Sequence, residues 1–149
     1  MKPAPDPELI SAVMTTADAF LRASQRLFRP LGLTAAQYNV LNLLAAQPDG
    51  ITQRELGDLL VVDRSNVTGL LDRMGASGWV RRADDPEDRR AYRVRLTPAG
   101  RTLWSKAEPR YRAVAAQVVG GLGAAERTLC LEALRQMEQA AVRWSSPET

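Results

Sequence analysis

Histidine is absent from all 149 residues, which removes the commonest general base and the commonest metal ligand together. A single cysteine, Cys130, leaves no partner for a disulfide within the chain, and no nucleophile can be matched to a histidine base. Neither catalysis nor a metal or cofactor site is expected. Lysine is nearly missing as well: of twenty basic residues only Lys2 and Lys106 are lysines, and the other eighteen are arginines. Aromatic residues make up 5% of the chain, too few for a β-rich interior. With no signal peptide and no run of about 18 apolar residues, a cytoplasmic protein with no membrane partner is expected.

What is present suits an ordinary globular fold. Hydrophobic residues are 45% and charged residues 25%, and the length is enough to bury a core without staples. The net charge is only +3. Basic and acidic residues nearly balance in each third of the chain and form no basic tail, so any electrostatic footprint must be local. Arginine's planar fork suits phosphates and base edges, although high genomic G+C content also replaces lysine with arginine.

Apolar residues recur at helical spacing from Pro7 to about Phe28, through Ile10, Val13, Met14, Ala17, Phe20 and Leu21. RPLGLT breaks that helix, and Thr34 with Gln37 forms a capping box for a second one, running to about Ala46. Another box, Thr52 to Glu55, starts a short third helix with Leu56, Leu59 and Leu60 inward. Asp63 is a good N-cap for RSNVTGLLDRMGASG, in which Val67, Leu70, Leu71 and Met74 form one apolar stripe. At about 100° per residue the opposite face holds Ser65, Gly69 and Asp72, flanked by Asn66, Thr68 and Arg73. Gly75 or Gly78 ends that helix.

Next come WVRRA, the loop DDPEDRR and AYRVRLT. Tyr92, Val94 and Leu96 alternate with Arg93 and Arg95, the period of a half-buried strand, so a two-stranded hairpin is expected with Arg89 and Arg90 near its tip. Trp79, at the start of the first strand, reads as hinge packing. Thr97 caps a further helix with Pro98 at its first position. That helix runs toward Val119, and after GGLG a last one spans 124 to 143. The fold class is therefore mainly α with a small β-hairpin wing.

Two short helices joined by a tight turn, the second with a small polar face, describe a helix-turn-helix, and a hairpin directly after it makes a winged helix. From Leu33 to Gly100 the chain resembles the MarR family of bacterial transcriptional regulators, with DPEDRRAYRVRLTPAG the most specific part. The resemblance implies a homodimer on double-stranded DNA, with residues 33–100 as the DNA-binding lobe. Residues 1–32 and 101–149 would then supply dimerisation helices. In the family it resembles, a small ligand, often an aromatic acid, or oxidation of a cysteine releases DNA.

Read as residues, the start of the recognition helix suits that role. Ser65, Asn66, Thr68 and Gly69 are short enough for close backbone approach, and helix-start amides favour a phosphate. Asn66 can both donate to and accept from a base edge. Arg64 and Arg73 suit phosphates. In the loop, Asp88 accepts hydrogen bonds from an arginine or from loop amides, leaving Arg90 or Arg89 to enter a narrow minor groove. For an aromatic or phenolic effector, the candidate lining is Phe20, Arg22, Arg26, Tyr38 and Trp104, since arginine near aromatics suits a carboxylate. Cys130, between Leu129 and Leu131, reads as a small buried hydrophobe rather than a redox switch. A protein-docking winged helix that ignores DNA is the alternative from another class.

Overall fold

The computed structural model describes residues 6–60, 64–86, 88 and 91–145, with the main chain alone at Arg64, Ser65 and Ser145. Helix α1 (Asp6–Phe28) is followed by a 3-10 turn (Arg29–Leu31) and helix α2 (Ala35–Ala45). Strand β1 (Ile51–Thr52), helix α3 (Gln53–Leu59) and helix α4 (Arg64–Ala76) come next. Strands β2 (Val80–Asp84) and β3 (Tyr92–Leu96), then helices α5 (Pro98–Val118) and α6 (Ala124–Ser145), complete the order. The chain divides into one unit ending at Tyr111 and another beginning at Arg112.

Both capping boxes form as their sequences predict. Gln37 N donates to Thr34 Oγ1 at 3.1 Å while Thr34 N donates to Gln37 Oε1 at 2.8 Å. Such a cap stabilises a helix by about 1 kcal/mol. The second box starts α3: Glu55 N donates to Thr52 Oγ1, and Thr52 N donates back to Glu55 Oε2 at 2.7 Å. The Thr52 amide, and after it the Thr52 hydroxyl, hold the Glu55 carboxyl below the ordinary glutamate range. The expected cap at Asp63 lies outside the described residues.

The core of the first unit gathers around Tyr38, which is 2% exposed and stacks on Phe28 with ring centroids 4.3 Å apart. Val40, Leu41 and Leu44 of α2, Leu56 of α3, and Val67, Leu70, Leu71 and Met74 of α4 belong to it, with Ile51, Val80 and Val94 of the sheet. The α4 stripe is buried in full, as its spacing requires. Leu59 is a correction: it is 55% exposed, because α3 ends there and only Leu56 and Leu60 turn inward.

The sheet has three strands in the order β1-β3-β2, all antiparallel. The two-stranded expectation missed β1, whose two residues pair Ile51 with Val94 and Thr52 with Arg93. Two residues, the second of them the helix cap itself, carry no readable alternation. Val80, Arg82 and Asp84 share a face with Leu96, Val94 and Tyr92. That face is buried only at its root, where Val80 and Val94 lie. Tyr92 was expected to anchor β3, yet it is 55% exposed, at the loop end of the strand.

Two glycines fix the wing to the helices on either side. Gly78, not Gly75, takes the left-handed conformation after α4, with φ 73°, and the Trp79 amide returns to Met74 O at 3.0 Å. Thr97 begins α5 by accepting from Gly100 N at 3.0 Å, and its hydroxyl reaches Gly78 O at 2.6 Å. Trp79 packs half-buried against the core, consistent with its reading as hinge packing.

The second unit holds the end of α5 and all of α6. Glu126 caps α6 by accepting from Gly123 N at 2.6 Å. Cys130 is exposed rather than buried, and its neighbours Leu129 and Leu131 are likewise uncovered in the single chain.

Candidate nucleic-acid interface

Burial of the α4 stripe leaves Asn66, Thr68, Asp72 and Arg73 exposed on the opposite side. Gly69 sits among them, and a Cβ built there would lie 3.4 Å from Arg73 Nη1, so the guanidinium folds over the glycine. Of the recognition-helix candidates, Arg64 and Ser65 have side chains outside the described part of the structure. Asn66, Thr68, Gly69 and Arg73 share one accessible surface.

Arg82 of β2 faces that surface, and the sequence reading missed it. Its Nη2 donates to Asp72 Oδ1 at 2.8 Å and to Gln53 Oε1 at 3.4 Å. Gln53 Nε2 donates in turn to Thr68 Oγ1 at 2.8 Å. One polar chain therefore crosses from wing to recognition helix through the first turn of α3. Arg82 reads as one more charged edge residue until the strand register turns it toward the helices.

The wing loop closes through its main chain, with Asp85 N on Ala91 O and Ala91 N on Asp88 O, each at 3.0 Å. Arg89 and Arg90, the two candidates for the outward tip residue, lie outside the described residues. The brace expected of Asp88 has a counterpart at Asp85, which is only 7% exposed and accepts from Arg93 Nε at 2.9 Å. Arg93 Nη1 also donates to Gly50 O at 3.2 Å, tying β3 to the turn before β1. Arg93 is therefore a half-buried internal partner rather than an outward strand charge. Asp85→Ala is expected to lower stability by about 2 kcal/mol, less than for a fully buried pair because part of the guanidinium reaches water. A urea melt of the variant checks this, and a loss under about 0.5 kcal/mol would leave the brace without weight.

The effector candidates do not assemble as expected. A groove of about 370 Å³ is lined by Phe20, Leu21, Phe28, Asn39 and Tyr111, among others. Phe20 alone of the five candidates lines it. Tyr38 is buried in the core below, where an aromatic ring between Phe28 and Tyr111 packs best. Arg22 pairs with Asp18 one turn earlier on α1. Arg26 is exposed in the last turn of α1, and Trp104 Nε1 donates to Asn42 Oδ1 at 3.2 Å. Among the described residues, no group of acidic or cysteine side chains could hold a metal ion, and no helix is long and apolar enough to cross a membrane.

Comparison with known proteins finds relatives of this arrangement. A family model described as MarR family matches residues 31–91. The HTH-type transcriptional regulator TtmR of Methylorubrum extorquens (strain PA1) is 42% identical over 101 residues, 68% of this chain, and the match spans about half of TtmR, 51%. The transcriptional regulator HosA of Escherichia coli O111:H- is 34% identical over 108 residues, covering 72% of this chain and 79% of HosA. A mutant MarR from E. coli, solved in complex with operator DNA, superimposes with a TM-score of 0.72 at 30% identity, covering 88% of this chain and 91% of that one. Since the family model spans α2, α3, α4 and β2, and the matches at 30% identity or more reach most of the length of HosA and of MarR, the chain belongs to the MarR family.

Proposed function

We propose that this chain is a sequence-specific double-stranded DNA-binding transcriptional regulator, acting as a homodimer on a pseudo-palindromic operator and serving as a ligand-responsive repressor. The observation that carries the reading is the exposed face of Asn66, Thr68, Gly69 and Arg73, backed by a fully buried stripe and set beside an arginine-rich wing. A helix with short side chains on its open face can enter a major groove until its backbone meets phosphates. The resemblance to a MarR solved on operator DNA supports the same use of that face.

In this reading Asn66 takes a base edge, Arg64, Ser65 and Arg73 hold phosphates, and Arg90 or Arg89 enters the minor groove beyond. Two copies would present two recognition helices about one helical turn, ~10 base pairs, apart. Exposed apolar side chains on α1 (Ile10, Met14) and on α6 (Leu129, Leu134, Val142) support pairing with a second copy, since single chains rarely leave such faces to water. An aromatic effector would occupy the groove between Phe20, Phe28 and Tyr111 by stacking, without the arginine contact that the sequence suggested.

A mobility-shift titration with the gene's own upstream region tests the reading. The wild-type chain is expected to retard that duplex, and Arg90→Ala to weaken binding by about tenfold or more while the dimer persists in size-exclusion chromatography. A duplex that the wild type leaves unshifted would assign the face to protein docking instead.

A further inference from the structure

We propose that Gln53 is a positioning residue that presents the Thr68 hydroxyl to DNA as a hydrogen-bond donor, with Asp72 and Arg82 setting the orientation of its amide. The inference rests on the DNA-binding reading and deepens it.

The polarity follows from the end of the chain that cannot change. A guanidinium has donors only. Arg82 Nη2 is held by the Asp72 carboxylate at 2.8 Å, and the amide group it meets at 3.4 Å must be the Gln53 oxygen. The opposite amide orientation would set two donors against each other. Gln53 Nε2 therefore faces α4, where it donates to Thr68 Oγ1 at 2.8 Å. With one of its two lone pairs taken by Gln53, Thr68 keeps its O–H free to donate, and among the described residues no acceptor takes it. Thr68 is exposed beside Asn66 and Gly69. What the free O–H is poised to meet on a duplex is an acceptor: a base-edge atom such as a purine N7, or a phosphate oxygen.

A threonine without this support is indifferent, since its hydroxyl rotates to donate or accept. The Asp72, Arg82 and Gln53 chain tips that balance toward donation by occupying one of the two lone pairs, and because Arg82 belongs to the wing strand, the orientation of Thr68 depends on the wing being seated.

The test uses duplexes that the wild-type chain selects from a random-sequence pool. Failure to select any duplex overturns the DNA-binding reading itself, separately from the role of Gln53. On a selected duplex, acceptors are deleted one at a time, by 7-deazapurines at base edges and by methylphosphonates along the backbone, so the two arms tell base from phosphate. At one position the wild type is expected to lose about fivefold in affinity, the size of one hydrogen bond. Thr68→Val should erase that penalty and no other. Gln53→Met and Arg82→Met should shrink the same penalty toward one, and Gln53→Glu should abolish it by drawing in the Thr68 hydrogen. Adding Gln53→Met to Thr68→Val should change that position no further. Arg81→Met, which removes an exposed charge from the same strand, should weaken all duplexes evenly and leave the pattern intact. Thermal melts establish that each variant is folded. The proposal is overturned if folded Gln53→Met and Gln53→Glu both keep the penalty at wild-type size, or if no deletion separates the wild type from Thr68→Val.

Discussion

Replacing Gly100 with alanine is expected to lower stability by about 3 kcal/mol or more, a large share of what a domain of this size has. An ideal Cβ at Gly100 would lie 1.9 Å from Trp79 O and 2.9 Å from Trp79 C. Neither atom belongs to a side chain that could swing aside. The same carbonyl accepts from Thr97 N at 3.1 Å and from Thr97 Oγ1 at 3.2 Å, so moving it breaks the junction between β2 and α5. A urea melt measures the loss directly, and a change below about 1 kcal/mol would mean that the junction yields where the geometry says it cannot.

Raising salt from about 50 to about 200 mM is expected to weaken duplex binding about a thousandfold. The net charge of +3 predicts nothing so steep, because whole-chain charge is the wrong quantity. What matters is where the arginines stand. Arg54, Arg73 and Arg81 are exposed in the same lobe, and a dimer would apply each of them twice. Six or so neutralised phosphates give that slope through the counterions they release. Affinity that stays level across this range would remove the phosphate contacts from the account.

Helices and caps were legible in the sequence because their signals are local. Thr34 and Gln37, or Val67, Leu70, Leu71 and Met74, lie within a turn or two of each other, and each set carries its own explanation. The face of α4 could be read for the same reason. Long-range pairings were not legible: Arg93 with Asp85, Arg82 with Asp72, and Gln53 with Thr68 depend on strand register and on which elements touch. Arg82 and Arg93 looked alike as strand arginines, yet the register turns Arg82 toward the helices and Arg93 toward the turn before β1. Exposure near the ends of elements was also hidden. Tyr92, Leu59 and Cys130 have the residue types and spacing of buried positions, and what decides them is where the neighbouring helices stop or whether anything covers their face.

The wing segment DPEDRRAYRVRLTPAG now divides into parts with separate causes. Asp85 and Arg93 tie the loop end of the wing to the turn before β1, Val94 and Leu96 seat it, and Thr97 with Gly100 fastens it to α5. Those contacts fix the wing beside the α4 face, the setting that the proposed reading of DNA requires.

The central claim is that this face reads duplex DNA by sequence. Fluorescence anisotropy at about 150 mM salt, comparing the gene's upstream region with a scrambled duplex of equal length, tests it most directly. The account predicts a preference of at least about a thousandfold for the upstream region. Equal affinity for the two duplexes, or binding to neither, would contradict it.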